Sequence, residues 1–172
     1  MPVIEYLGKV PKLHPKSYVS PNAFVSGDVE LGEGSSIFDY AVVRGDLSTI
    51  KVGKYSNIQD NCSVHAGLTP CSIGDYVTVG HGAVIHGATI GSYVIVGINS
   101  TVLDGAVIGD NCIIGAGAVV TPNTQIPPES MVLGNPAKPV KKLEDHHKLT
   151  IKLSAESYAE LAQRYKQIFE QK

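Results

Sequence analysis

The chain has 172 residues, a length typical of one domain that buries a core without disulfide or metal crosslinks. Its net charge of −2 and pI near 6.3 differ from the strongly basic balance of phosphate-binding proteins, so we expect no nucleic acid partner. Its apolar runs are shorter than the roughly 18 residues of a membrane span, and its first residues lack the pattern of a signal peptide. We therefore expect a cytoplasmic protein with no membrane association.

The first segment, residues 1–18, is predicted to be an extended lead-in, because Pro2, Pro11 and Pro15 oppose regular strand pairing. A repeat then begins, in which aliphatic residues recur every six positions, with two three-residue insertions and one step that is a residue short. Glycine often follows the aliphatic residue, and a small residue usually stands four positions after it. The series is Val19, Val25, Leu31, Ile37, Val43, Val52, Ile58, Val64, Ile73, Val79, Ile85, Ile90, Val96, Val102, Ile108, Ile114, Val120, Ile126 and Val132.

A period of six fits neither an α-helix nor one face of a single strand. It fits a short strand followed by a corner, so that three strands close a coil of about 18 residues and successive coils pair as parallel strands. The repeat therefore predicts an all-β parallel solenoid in a domain spanning 1–142, with coils at about 19–135. Cys62 and Cys112 fall at the small inner position and are interpreted as core residues. Cys71 falls in an insertion loop, and its role stays open.

The last segment, residues 143–172, is predicted to form one amphipathic α-helix from about 144 to 170. Prolines are frequent in residues 121–140, where the repeat ends, and glycine and proline are absent after residue 143. We expect the apolar stripe of this helix to pack along the coils or against a neighbouring subunit, and His146 and His147 to be solvated. The stripe consists of Leu149, Leu153, Leu161, Tyr165, Ile168 and Phe169.

Three histidines form the main candidate site. Arg44, His65 and His86 each follow an inward residue, and those inward residues are three repeats apart. The three side chains therefore form one outward column on successive coils, which lie roughly 4.8 Å apart. His65 and His86 are thus close enough to share one metal ion. His81 lies at a corner on the preceding side and points in a different direction. A homotrimer with cyclic symmetry could bring it from a neighbouring subunit to a site at each interface.

Three histidine ligands with an open position for water are the pattern of a catalytic zinc site, in which the metal makes hydroxide available near neutral pH. Polar residues around the histidines are candidates for orienting the ligands and the water. These candidate catalytic residues are Arg44, Asp46, Asn57, Gln59 and Asp60.

The motifs around these residues resemble those of the γ-class carbonic anhydrases. The matching stretches are residues 43–46 (VRGD), 56–61 (SNIQDN), 64–65 (VH) and 77–87 (VTVGHGAVIHG), and the resemblance covers nearly the whole chain. It implies that the solenoid is a left-handed β-helix of hexapeptide repeats. It also implies a homotrimer with Zn²⁺, or Fe²⁺ or Co²⁺, at each subunit interface. The implied reaction is the reversible hydration of carbon dioxide to bicarbonate by metal-bound hydroxide.

The resemblance also implies roles for individual residues. It assigns His65 and His86 to one subunit and His81 to the next, and it gives Gln59 the task of positioning the hydroxide or bicarbonate. It makes Arg44 and Asp46 partners in an ion pair at the interface. No cofactor other than the metal is implied.

One departure from the family concerns proton transfer. Members can carry a glutamate after the Arg-Gly-Asp stretch and an acidic loop after the first histidine. Here those places hold Leu47 and residues 66–71 (AGLTPC), which supply no carboxylate. Rapid turnover needs a proton exit, so hydration at a high rate would require another route.

Two other functions stay open. An acyl-CoA-dependent hexapeptide acyltransferase uses the same fold with one histidine as general base, and residues 134–138 (GNPAK) are common near its CoA path. The same segment is common in the carbonic-anhydrase-like branch, so it discriminates poorly. A noncatalytic metal-binding or scaffold subunit would fit the missing carboxylates.

Overall fold

A computed structural model describes residues 3–170 of the chain. Residues 1–2 of the predicted lead-in and residues 171–172 of the predicted C-terminal segment lie outside the described residues. The twenty strands in residues 3–170, most of them short, wind into successive coils, and each full coil runs along three sides, which we number one to three in chain order.

The strands are grouped here by side. Side one contains β1 (Val3–Ile4), β8 (Ser63–His65), β11 (Val84–His86), β14 (Thr101–Val102) and β17 (Val119–Val120). Side two contains β2 (Lys12–Leu13), β9 (Cys71–Ile73), β12 (Thr89–Ile90), β15 (Val107–Ile108) and β18 (Gln125–Ile126). Side three contains β3 (Tyr18–Val19), β5 (Ser36–Ile37), β7 (Asn57–Ile58), β10 (Thr78–Val79), β13 (Val94–Val96), β16 (Cys112–Ile114), β19 (Ser130–Gly134) and β20 (Ala137–Lys142). The longer β4 (Phe24–Leu31) and β6 (Val42–Val52) turn the corner between sides one and two.

The inward aliphatic residues of the repeat form the core. From Val25 to Val132 they are at most 3% exposed, and Val19 in the first coil is partly buried. Strands of successive coils pair in parallel, and β20 pairs antiparallel with β19 at the end of the solenoid. Full burial of such a side chain contributes roughly 1.5–3 kcal/mol. The predicted parallel β-solenoid with a C-terminal helix is therefore confirmed.

Both insertions of the repeat lie at the corner between sides one and two. The first gives β6 an irregular stretch opposite Gly27–Val29 of β4, and the second is the loop at residues 66–70. His65 and His86 are the last residues of β8 and β11, so both end at this same corner. The irregular corner and the two histidines are therefore neighbours in space.

All three cysteines are buried in the core. Cys71 is the first residue of β9, in register with Ile50, and is 1% exposed. The expectation that it lies in an insertion loop is therefore wrong, because the loop ends at Pro70. Cys71 lies two residues before an inward aliphatic residue, as do Cys62 and Cys112, so all three fill the small inner corner position.

The one helix within residues 3–170, α1 (Asp145–Glu170), lies along side three. It begins beside the last coils, where Lys148 pairs with Glu129, and runs back to the first coil, where Lys166 Nζ donates to the Pro15 carbonyl at 2.6 Å. His146 is exposed, and the half-buried His147 accepts a hydrogen bond from the Glu144 amide. Nowhere in residues 3–170 does a helix combine the length and apolar character that crossing a membrane requires.

The buried face of α1 differs from the predicted stripe. The most deeply buried helix residues on side three are Ile151, Ala155, Ala159 and Ala162, which are at most 9% exposed. All six residues of the predicted stripe are at least 37% exposed, and of these Tyr165 stacks on Tyr18 of the first coil. The alternative, that the stripe packs against a neighbouring subunit, stays a prediction. Small side chains let the helix approach the flat sheet closely, and alanines contribute little to the hydrophobic pattern from which the stripe was predicted.

The buried thiols lead to a reactivity prediction. Burial raises the pKa of Cys62 and of Cys71 to about 11, and it raises the pKa of Cys112 as well. Because the thiolate is the reactive form, we expect Cys62 and Cys71 to react roughly 100-fold more slowly with a disulfide reagent at pH 8 than in the unfolded chain, and Cys112 to react more slowly as well. Thiol titration in buffer and in guanidinium checks this, and fast reaction of one thiol in the folded protein would contradict it.

Candidate metal centre

His65 and His86 lie next to each other on adjacent coils of side one. The strand register pairs Arg44 with His65 and His65 with His86, so the three residues form one column. The His65 Nδ1 and His86 Nε2 atoms are 3.0 Å apart. The Cα of Gly67 lies beside the His86 ring, because a Cβ at residue 67 would come within 3.0 Å of His86 Cε1. The glycine thus leaves room for the imidazole.

A carboxylate holds the far nitrogen of each ring. His65 Nε2 donates a hydrogen bond to Asp46 at 2.8 Å, and His86 Nδ1 donates to Asp104 at 2.8 Å. These bonds fix both tautomers, so in the neutral rings the two facing nitrogens carry lone pairs. Two lone pairs 3.0 Å apart repel unless a cation lies between them. The pair therefore favours a metal ion, or a shared proton in its absence.

The distances agree with a shared metal ion. Two nitrogens bound to tetrahedral zinc at about 2.0–2.1 Å are separated by about 3.3 Å. The observed separation of 3.0 Å needs only a few tenths of an ångström of opening. Carboxylate–histidine pairs that orient metal ligands in this way are common in metalloproteins. His65 and His86 thus fit two of the ligand positions of a metal site.

Asp46 also pairs with Arg44. Burial acts to raise the pKa of Asp46, but hydrogen bonds from His65 and Arg44 outweigh it, so the pKa is held below its ordinary value. Gly45 between the two residues is required by the packing of the coils, because a Cβ there would lie 2.5 Å from the Asp28 carbonyl oxygen. The Arg-Gly-Asp stretch is therefore shaped by a close coil contact and presents a fixed carboxylate to His65.

His81 lies at the opposite edge of side one. It occupies the corner that leads from β10 on side three into β11, whereas His65 and His86 end at the corner after β8 and β11. Its Nδ1 faces Asp60 Oδ2 at 3.1 Å. In residues 3–170, no group of three His, Cys, Asp or Glu side chains is close enough to hold one metal ion. A single chain thus does not bring the three predicted ligands together.

Gln59 and Asn57 lie on side three, beneath α1, with His81 at the next corner. Gln59 Nε2 donates to Asn57 Oδ1 at 3.1 Å, and Asn57 Nδ2 donates to Thr78 Oγ1 at 3.1 Å. Thr78 in turn shares a hydrogen bond with Ser154 of the helix. This chain of bonds fixes the buried Gln59 side chain, which is 4% exposed.

The predicted site residues therefore form two separate half-sites. The first half-site consists of Arg44, Asp46, His65 and His86, joined by Asp104. The second consists of Asn57, Gln59, Asp60 and His81.

Asp104 was missed by the sequence reasoning. It follows the inward Val102 by two residues, in a Leu-Asp-Gly stretch typical of an ordinary turn. Only the register, which aligns this turn with the corner after His86, indicates its role.

The outer surface beside the first half-site is apolar. Val42 and Val84 are 37% and 36% exposed, and Leu47 and Leu68 are 63% and 96% exposed. Leu47 and the loop at residues 66–70 thus present apolar groups where the family can carry carboxylates.

Comparison with known proteins places the chain in a family. The family model described as dynactin subunit 5 (DCTN5) matches residues 17–166. A Methanocaldococcus jannaschii protein named "Probable carbonic anhydrase" is 50% identical over 146 residues, covering 84% of this chain and 92% of the relative. The chain belongs to the γ-carbonic-anhydrase-like family of hexapeptide-repeat proteins. Its solenoid is the left-handed parallel β-helix of that family, as the resemblance implied.

Two further similarities extend the comparison. The mitochondrial γ carbonic anhydrase 2 of Arabidopsis thaliana is 45% identical over 162 residues, covering 90% of this chain. This chain spans only 58% of the length of that plant protein. A hexapeptide transferase family protein from Anaplasma phagocytophilum has 34% identity and a TM-score of 0.91, over 95% of this chain and 97% of its own.

The Asp104 contact generates a test of the first half-site. In Asp104→Asn, the anionic acceptor for His86 is lost, so we expect metal affinity to fall by roughly 10- to 100-fold. Competition with a chromophoric chelator measures the affinity. Asp110→Asn is the matched control, because Asp110 accepts a hydrogen bond from the Ser92 amide and contacts no histidine. Equal affinity in the two variants would contradict the assignment.

Proposed function

We propose that this chain is a γ-carbonic-anhydrase-like metalloprotein, a lyase that hydrates carbon dioxide reversibly to bicarbonate. The observation that carries the proposal is shared by the three candidate ligands, His65, His81 and His86. Each has an aspartate beside one ring nitrogen, namely Asp46, Asp60 or Asp104, at 2.8–3.1 Å. Each therefore keeps its other ring nitrogen available as a ligand. The names of the Arabidopsis and Methanocaldococcus relatives support the same reaction.

The two half-sites support a homotrimer in which each metal site lies between subunits. His65 Nδ1 and His86 Nε2 would come from one subunit and His81 Nε2 from the next. Separation of the half-sites on opposite edges of side one is what a cyclic arrangement requires, because each subunit then offers a different edge to each neighbour. The exposed apolar residues around His65 give that contact a surface to bury.

The proposed metal is Zn²⁺, with Fe²⁺ or Co²⁺ as alternatives, since imidazole ligands suit all three. When bound, the metal supplies the Lewis acidity that makes hydroxide available near neutral pH. The protein residues position the reactants. Gln59, fixed by Asn57, would present its amide beside His81, where it can orient bicarbonate or the attacking group. Arg44 neutralises Asp46 and keeps that carboxylate on His65.

The location of the protein belongs to the proposal as well. We propose that it acts in the cytoplasm, although the named plant relative is mitochondrial. No nucleic acid or membrane partner is proposed, in keeping with the net charge of −2.

The hydratase proposal is tested by metal content and activity on the same sample. We expect about one metal ion per subunit in anaerobically purified protein, and stopped-flow hydration of carbon dioxide that a chelator abolishes. Metal without hydration would overturn the reaction and leave a noncatalytic metal-binding or scaffold subunit. Absence of metal after reconstitution with zinc or iron would overturn the site.

An acyl-CoA-dependent acyltransferase is the second candidate, favoured by the likeness to the Anaplasma hexapeptide transferase family protein. Such an enzyme needs one histidine as general base and leaves the second half-site unexplained. Consumption of acetyl-CoA by the metal-free protein would identify it.

Mixing of variant subunits tests the shared sites. Alone, His81→Ala and His65→Ala should each lose metal at every site. In trimers assembled randomly from equal amounts of both, about a quarter of the interfaces pair an intact first half-site with an intact second half-site. We therefore expect metal content and hydration to recover to about a quarter of the wild-type values. Failure to recover in mixed trimers of proven composition would contradict sites shared between subunits.

A further inference from the structure

The corner between sides two and three carries a column of residues with left-handed backbone. Successive coils each contribute one residue, with a φ between 54° and 66°. From Tyr55 onward, the backbone amide of each donates to a carbonyl of the preceding coil at 2.8–2.9 Å. Glycine and asparagine are the residues that usually adopt such a φ, so the turn alone does not explain three successive tyrosines. The column consists of Gly34, Tyr55, Tyr76, Tyr93, Asn111 and Glu129.

The three tyrosine rings of this column form a stack. The ring centroids of Tyr55 and Tyr76 are 5.1 Å apart, and those of Tyr76 and Tyr93 are 4.9 Å apart with planes 5° from parallel. Gly34 lies against the Tyr55 ring, because a Cβ there would come within 2.9 Å of Tyr55 Cδ1. The column therefore covers both faces of the first two rings, whereas Tyr93 is covered by Tyr76 on one face only.

A cleft opens beside the outer face of Tyr93. The next residue of the column is Asn111, which supplies no ring to cover that face. The volume of the cleft, about 440 Å³, is within the range of small-ligand sites. Asn111 donates through its backbone amide to the Ser92 carbonyl, and its carboxamide has no hydrogen-bond partner in residues 3–170. The cleft is lined by Tyr93, Asn111, Asp145, Lys148, Leu149 and Lys152.

The charged groups of the lining differ in how they are paired. Lys148 forms an ion pair with Glu129, whereas Lys152 is half-exposed and lies 3.7 Å from Glu156 in a looser pair. Among residues 3–170, no lysine, arginine or histidine forms an ion pair with Asp145. The cleft thus offers one free carboxylate and one loosely paired ammonium group to a ligand.

We propose that this cleft binds an adenine nucleotide, with its base stacked on Tyr93 where a fourth ring of the column would lie. Bases stack favourably on the faces of aromatic side chains. An asparagine carboxamide matches the N6 and N7 edge of adenine, and Asn111 supplies one. Carboxylates accept hydrogen bonds from ribose hydroxyl groups, and ammonium groups bind phosphate. Asp145 and Lys152 supply these two groups.

The cleft is separate from the proposed metal centre. Both half-sites lie at the edges of side one, whereas the cleft lies at the opposite corner, between sides two and three. A cyclic homotrimer that joins the two edges of side one leaves this corner open. The inference therefore does not rest on the hydratase assignment. We expect His81→Ala to bind the nucleotide as the wild type does, and loss of binding in that variant would overturn the separation.

The first experiment is calorimetric titration of the wild-type protein with adenosine 5′-monophosphate (AMP) and with ribose 5-phosphate, which lacks the base. We expect AMP to bind at least about tenfold more tightly, because stacking on Tyr93 is open to AMP alone. Equal affinity for the two, or no binding of AMP, would overturn the proposal. Tighter binding of guanosine 5′-monophosphate than of AMP would overturn the assignment to adenine.

Two matched variants of the column locate the site. Tyr93→Asn removes the ring that lines the cleft, and Tyr55→Asn removes the ring at the covered end of the stack. Asparagine tolerates the positive φ of both positions, so both variants should fold. We expect Tyr93→Asn to weaken AMP binding at least about fivefold and Tyr55→Asn to bind as the wild type does. Equal effects of the two variants would overturn the proposal.

A third variant fills the cleft. Asn111→Tyr places a fourth ring on the stack, at a φ of 55° that three tyrosines of the column already adopt. We expect this variant to fold, with a melting temperature at least equal to that of the wild type, and to lose AMP binding because its ring occupies the position of the base. Wild-type affinity for AMP in folded Asn111→Tyr would overturn the proposal.

Discussion

Backbone pairing between successive coils determines where every outward side chain of this protein lies. Strands in the inner coils are hydrogen-bonded to the strand one coil before and one coil after, and the inward aliphatic residues prevent slippage, because a shift by one residue would expose them. The outward residues consequently stack in columns. His65 and His86 are neighbours for this reason alone, although 21 positions separate them in the chain.

The same constraint limits what one chain can build. Residues in one column come together, and residues at opposite edges of a side stay apart, as His81 does from His65 and His86. A rigid prism cannot close around a ligand as a hinged enzyme does. Residues at opposite edges of such a prism can contribute to one site only if a second surface, such as that of a neighbouring subunit, packs against it. The aspartates fix each imidazole within one chain, so a metal ion would meet pre-oriented ligands.

The sequence predicted most of what the coil register controls. The six-residue repeat predicts the solenoid and the column formed by Arg44, His65 and His86. It also predicts that His81 points in a different direction. Features that depend on how the irregular segments fold could not be predicted from the repeat. The path of the second insertion determines whether Cys71 lies in the loop or the core, and the turn after Val102 determines that Asp104 reaches His86. The buried face of α1 was missed because alanines carry little hydrophobic signal, although they allow close packing on a sheet.

The course of α1 has a consequence for how the molecule comes apart. In a bare solenoid each coil contacts only its neighbours, so end coils can fray while the middle stays folded. Here the helix spans the stack, with Lys148 paired to Glu129 at one end and Lys166 bonded to the Pro15 carbonyl at the other. Fraying of either end therefore costs helix contacts as well as coil contacts. The helix therefore couples unfolding of the terminal coils to unfolding of the coils that carry the histidines, so that they form one cooperative unit.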